Sequence, residues 1–301
     1  MPHQVPLHSN DRAYDAQFDA RRGDRTHELC PDLAYRRLGL VNVVFYGLAG
    51  ASDREWVLID AGVMGTKALI VQAAEERFGP GSRPAAIVLT HGHFDHVGSL
   101  EALAAEWDVG VYAHGLEHPY LDGSASYPPP DPTVGGGLMS MLAPLYPRGP
   151  VDVRSRLKAL PLDGTVPQMP GWRWLHTPGH TPGHISLWRE ADRTMIAGDA
   201  FITTRQESAY AVLLQQPEMH GPPMYYTTDW AAARASVALL AALEPERVVT
   251  GHGAAMKGES MRAALNRLAR EFDSIAVPEG GRYVRQPANQ REGGEYRRPD
   301  K

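Results

Sequence analysis

Two hydrophobic periods alternate along the chain. From Leu38, "LGLVNVVFYGLAG" and "EWVLIDAG" are short runs of Val, Ile and aromatic residues broken by Gly, Ser and Asp. They predict strands joined by a turn. In "TKALIVQAAEERFG" the pairs Leu69 and Ile70, Ala73 and Ala74, Arg77 and Phe78 recur at helical spacing, and Gly79 closes the run. "AAIVLT" predicts a buried strand, "SLEALAAEW" a helix with Ser99 as N-cap, and "VGVYAH" a further strand. Later, "GWRWLHT", "HISLWRE", "RTMIAGDA" and "RVVTGH" predict strands. "DWAAARASVALLAALEP" and "ESMRAALNRLAREFDSI" predict helices, the first capped by Thr228 or Asp229. Strands and helices alternate in both halves, as two sheets flanked by helices require.

Three segments break this pattern. Residues 1–30 are polar and weakly patterned, and are expected to form an N-terminal arm. Residues 119–150 carry "YPPPDPTVGGG" and further Pro and Gly, so a regular helix or central strand is not expected there. Such a long connection is either a lid or binding loop, or a disordered insert. Within it "LMSML" (138–142) reads as core, with a hydrophobic lid patch as the alternative. Residues 279–301 form a polar, Gly-rich tail expected to be exposed, which leaves 31–278 as the catalytic domain.

Composition narrows the class. Of 301 residues, 43% are apolar and 22% charged, enough for a sizeable core. The net charge of -5 gives no general attraction to nucleic acid or anionic membrane. Neither a signal-peptide core nor an 18-residue apolar run is visible. The single cysteine, Cys30, cannot form an internal disulfide and reads as a passive thiol. A cytoplasmic protein is expected, acting on a small molecule, with no nucleic-acid or membrane partner and with a homodimer possible.

Histidine is where the chemistry concentrates. In "LTHGHFDHVG", His91, His93, Asp95 and His96 fall within six positions after a predicted strand. His91 and His93, two apart in extended chain, point to the same side and can reach one cation. Asp95 and His96, where the chain turns, can serve a neighbouring position. Further candidates follow downstream: His176, His180 and His184 in "HTPGHTPGH", Asp199 in "AGDAF" and His252 in "VVTGHG". Most of these sit where a buried strand ends beside glycine, so they can converge on one sheet edge.

These motifs, "HGHFDH" (91–96), "TPGHTPGH" (177–184), "GD" (198–199) and "GH" (251–252), occur in the order of the metallo-β-lactamase fold superfamily, which the chain resembles over roughly residues 38–255. The resemblance implies an α/β fold, a four-layer αβ/βα sandwich with its site at the sheet edges. It implies that His91, His93 and His180 hold one metal, that Asp95, His96 and His252 hold a second, and that Asp199 bridges them. Asp60 in "LIDAG" looks like the family's strand-end acid, placed to fix a ligand imidazole. His184, Tyr225 and Tyr226 are candidates for contacts to ligands or substrate, with packing an equal alternative; His114, His118 and His220 border loops.

The implied cofactor is two Zn2+ per chain, with iron or manganese as alternatives, and the implied activity is hydrolysis by a hydroxide shared between the metals. Asp95 would orient that hydroxide or carry a proton. Seven ligand-type residues without a cysteine fit a catalytic site better than a closed structural zinc. Departures from subfamilies select among substrates. Asp199 stands where zinc β-lactamases lack an acid, the GCGR-like stretch of glyoxalase II enzymes is missing, and Ile202 stands where lactonases carry a tyrosine. Arg205 is a lone basic group near the site, and Tyr210 could replace the lactonase tyrosine. A carboxyl-ester-type substrate (lactone, ester or thioester), with a hydrophobic part, is expected. The alternatives are a mononuclear-iron, persulfide dioxygenase-like oxidoreductase and a phosphodiesterase of the same superfamily.

Overall fold

The computed structural model describes residues 5–6, 26–135, 138–149, 151–204 and 218–288. Strand β1 (Val5–Pro6) pairs with β12 (Glu218–Met219). A seven-stranded sheet runs in spatial order through β2 (His27–Cys30), β3 (Leu33–Leu38), β4 (Val41–Tyr46), β5 (Val57–Ile59), β6 (Ala86–Val88), β7 (Val111–Ala113) and β8 (Leu157–Ala159). Its first four strands are antiparallel, and from β5 to β8 the pairing is parallel. A five-stranded sheet has the order β14 (Met256–Lys257), β13 (Arg247–Thr250), β11 (Thr194–Gly198), β10 (Ile185–Arg189) and β9 (Trp172–His176). Within it β11 and β13 are parallel.

Alternation along the strands builds three apolar layers. Val57, Ile59, Ala86 and Val88 face Ile185, Leu187, Ile196 and Val249 between the sheets. The intervening residues Leu58 and Ile87 point outward, against helix α1 (Lys67–Phe78) and helix α3 (Leu100–Trp107). On the far side Met195, Ala197 and Val248 pack against α6 (Trp230–Ala242) and α7 (Gly258–Arg270). Because a strand's side chains alternate faces, a run of apolar residues buried on both faces is what a central layer needs. The αβ/βα sandwich expected from the sequence is the observed architecture. Asp229 caps α6, accepting from Ala232 N at 2.9 Å. Ser99 precedes α3 but makes no cap bond; its hydroxyl donates to Val63 O at 3.1 Å.

The two sheets are also tied by polar bonds. Asn42 in β4 donates through Nδ2 to Thr250 O (2.9 Å) and Gly253 O (2.7 Å), and its backbone N to Gly251 O (2.7 Å). One side chain of the first sheet thereby fixes the turn that carries His252.

Four expectations need correction. The sheet begins at His27, inside the supposed arm, because an edge strand needs a partner on one side only and shows little alternation. The tail is not wholly exposed: Tyr283 is buried, and its hydroxyl donates to Pro129 O at 2.7 Å. The insert is packed in its first part, where Tyr120, Ala125 and Tyr127 form a small core, and it contains short helices α4 (His118–Leu121) and α5 (Leu138–Leu142). "LMSML" is not simply core, since Met141 is 71% exposed. At Cys30 burial, with Asp32 beside it, pushes the thiol up to about 11, which disfavours the thiolate at neutral pH.

His114, after β7, stacks on His176, the last residue of β9, at 4.3 Å. Burial first, then His176 and His118, push His114 down to about 4 from 6.5. The unfolded chain therefore binds a proton that the folded one refuses, and this contribution is lost as pH falls from 6.5 to about 4. The variant His114→Asn is expected to flatten that part of a stability–pH profile measured by thermal melting. Replacing Asn42 by Leu is expected to cost roughly 2–4 kcal/mol in denaturant unfolding, because two buried carbonyls lose their donor.

Candidate metal centre

The site lies where parallel strands end. Asp60 follows β5, His91 lies three residues beyond β6, Asp199 follows β11, and His252 lies two beyond β13. His93, Asp95 and His96 sit at the start of helix α2 (Phe94–Val97), and His180 on the loop between β9 and β10. All are buried.

The chain packs these groups closely. Ligand-type atoms of His91, His93 and His180 lie within 4.8 Å of one another, as do those of Asp95, His96 and His252, and those of His91, His96 and Asp199. His93 Nδ1 and His180 Nε2 are 2.9 Å apart. Asp199 Oδ2 lies 3.1 Å from His252 Nε2, 3.4 Å from His180 Nε2 and 3.6 Å from His96 Nε2, and so touches members of both outer groups. Glycine is required at 251, where a Cβ would fall 2.0 Å from Asp199 Oδ1.

Around this centre a shell of bonds fixes the rings. Asp60, at a left-handed φ of 60°, accepts from Thr90 N and Thr90 Oγ1, both at 2.8 Å, and from His96 Nδ1 at 2.8 Å. His96 therefore donates from Nδ1 to Asp60 and turns Nε2 toward the cluster. His252 Nδ1 donates to Leu40 O at 2.6 Å, which leaves its Nε2 facing Asp199. His184 is not part of the inward-facing set. Its Nδ1 donates to Thr177 O (3.1 Å), and its Nε2 accepts from Asp199 N (2.9 Å), so it holds the backbone of Asp199.

Protonation divides the centre. Burial pushes His91 and His93 well below the usual range and His180 down to about 3, so these imidazoles are neutral at pH 7. At His96 burial acts the same way, but Asp199, Asp60 and Asp95 outweigh it and hold the ring well above 6.5. For Asp199, burial is overcome by His252 and His96, which hold it well below the usual carboxylate range. His91 Nε2, His96 Nε2 and Asp199 Oδ1 are buried with no hydrogen-bond partner among the described residues. Orphaned polar atoms are costly in a protein interior unless something satisfies them. Nitrogen and carboxylate donors in this number suit zinc, iron or manganese, so the residues fit the implied ions.

Tyr226 and Tyr225 part company. Tyr226 packs its ring 4.6 Å from that of His93, and its buried hydroxyl has no hydrogen-bond partner among the described residues. Tyr225 is buried in the layer beside α6 and α7. His220 is buried, His114 and His176 stack on each other away from the cluster, and Arg205 and Tyr210 lie outside the described residues. Sequence reasoning missed Thr90, Thr177 and Glu117, which grip the site from behind; hydroxyls and a single acid at loop positions carry no spacing signal.

A model of the metallo-beta-lactamase superfamily matches residues 36–252, and the chain belongs to that family. It is 46% identical over 260 residues to "Probable metallo-hydrolase YflN" of Bacillus subtilis (strain 168), covering 86% of this chain and 95% of that protein. Over 113 residues it is 31% identical to hydroxyacylglutathione hydrolase GloC of Haemophilus influenzae, covering 38% of this chain and 48% of that protein. Among solved structures it is similar to TTHA1623 in a di-iron-bound form, with a TM-score of 0.50, 27% identity and coverage of 77% and 95%. A beta-lactamase domain protein from Burkholderia ambifaria shares the fold at a TM-score of 0.57 and 20% identity, covering 84% of this chain and 78% of that one. Among the described residues no helix is long and apolar enough to cross a membrane.

If Asp60 sets the orientation of His96, Asp60→Asn is expected to weaken metal retention about 10–100-fold in a chelator competition, with little change in the helical content of the metal-free protein.

Proposed function

We propose that this protein is a dinuclear metal-dependent hydrolase of carboxyl-ester-type substrates. The observation that carries the reading is the set of converging, buried His and Asp atoms, three of them orphaned. His91, His93 and His180 would hold one ion, Asp95, His96 and His252 the other, with Asp199 between them. Two zinc ions bound there would supply hydroxide at neutral pH and polarise a carbonyl oxygen. The name of the Bacillus subtilis relative supports hydrolysis, and that of the Haemophilus influenzae relative makes thioesters the first substrates to try.

The chain's own residues supply the rest. Asp95, 3.4 Å from His252, is placed to orient the nucleophile and carry a proton to the leaving group. Tyr226 presents a buried, unpartnered hydroxyl beside His93, a donor for a developing oxyanion. Burial, Asp95 and Tyr146 raise its pKa, so the hydroxyl keeps its proton at neutral pH. Phe94, next to Asp95, opens onto a recess of about 450 Å3 lined by Val63, Met64, Val97, Pro147 and Val151. Its size and lining suit the apolar part of a small substrate.

Elemental analysis of protein produced with zinc and iron both supplied is the first test. Two zinc ions per chain and turnover of a lactone, ester or thioester are expected. Iron, as in the di-iron-bound form of TTHA1623, together with oxygen uptake on sulfur substrates and no hydrolysis, would replace the reading with an oxidoreductase. In the loaded enzyme, Asp95→Asn should lower kcat by about 10²–10⁴-fold, and Tyr226→Phe by roughly 10²-fold. Near-normal turnover in either variant removes that residue from the mechanism.

A further inference from the structure

Glu117 is an acid that no motif contains, yet it grips both histidine loops. It ends the short turn Gly115–Glu117 after β7 and is fully buried. No Lys or Arg pairs with it among the described residues. Instead its carboxylate accepts four hydrogen bonds. Oε1 takes them from Thr181 Oγ1 and Gly183 N, both at 2.8 Å. Oε2 takes them from Gly92 N, at 3.0 Å, and from the Tyr127 hydroxyl.

The donors identify what is being held. Gly92 lies between His91 and His93, while Thr181 and Gly183 lie between His180 and His184. One loop leaves the seven-stranded sheet and the other belongs to the five-stranded sheet. At both places the backbone reaches the acid because the residue is glycine. A Cβ on Gly183 would sit 2.7 Å from Glu117 Cγ, and one on Gly92 would sit 2.7 Å from the Tyr127 hydroxyl. Only a carboxylate accepts on both oxygens. A carboxamide would turn its NH2 toward one of the two donor pairs.

We infer that Glu117 is a positioning residue for the first metal ion. It locks the two loops so that His91, His93 and His180 converge before a cation arrives. This rests on the proposal above that the cluster binds cations.

The test uses the full-length protein stripped of metal and titrated with Co2+, followed by visible absorption and by competition with a chelator. Wild-type protein is expected to bind two ions. If it binds none, the metal reading itself fails, whatever the variants do. With Glu117→Gln, the ion held by His91, His93 and His180 is expected to be bound about 10–100-fold more weakly, with an altered cobalt spectrum, while the second ion changes little. Glu117→Asp should recover part of the loss. If Glu117→Gln does not fold, Thr181→Val and Tyr127→Phe each remove one donor and should weaken that first ion about 2- to 10-fold. Wild-type cobalt affinities and spectra in the folded variants, even with a lowered melting temperature, would make Glu117 a fold residue only and overturn the inference.

Discussion

Three carboxylates and five inward-facing imidazoles, all buried together, set the terms for the rest of the molecule. Charge of that density is expensive to remove from water. It is tolerable only where opposite charge and hydrogen bonds meet every group. Part of the balance is internal: Asp60 and Asp199 share the protons of His96 and His252. The remainder, at His91 Nε2, His96 Nε2 and Asp199 Oδ1, has no hydrogen-bond partner among the described residues. The parallel strand ends, the glycines beside them and the loops behind them hold these atoms in one place against their cost.

The division of labour between the two sheets follows from this. The seven-stranded sheet brings Asp60 and the "HGHFDH" loop, and the five-stranded sheet brings His180, Asp199 and His252. Apolar packing between the sheets sets their distance, but it is not directional enough to set the register of ligand atoms. That register comes from bonds crossing the gap: Asn42 to the His252 turn, His252 to Leu40, and Glu117 to both histidine loops.

The sandwich and the convergence of the motif residues were legible because each rests on a local pattern. Strands such as 86–88 are uniformly apolar, and α1 has its helical spacing. Histidines two apart at a strand end can only point one way. What the sequence concealed was contact made across long separations. Glu117 meets Gly92 and Gly183 at separations of 25 and 66 residues, and nothing in "HGLEHPYL" announces it. The edge strand His27–Cys30 lacks alternation because only one neighbour defines it. Tyr283 looked like tail because its cover, the Pro129 region, is 154 residues away. The two tyrosines at 225 and 226 were equivalent in sequence, and only their neighbours separate the core residue from the one facing His93.

The insert combines two segments of unlike exposure. Its first part is anchored, with Tyr127 stacked 3.8 Å from Tyr120 and bonded to Gly92 and Glu117. Its later part carries Met141 and Leu145 in solvent, 71% and 78% exposed, and contributes Pro147 to the recess beside Phe94. The two parts are nonetheless joined: Tyr127 N donates to Arg148 O at 3.0 Å and Arg148 Nη1 donates to Tyr127 O at 3.1 Å. A displacement of the outer part is therefore carried through Arg148 and Tyr127 to Glu117 and Gly92, so the exposed rim and the brace behind the histidines move as one piece.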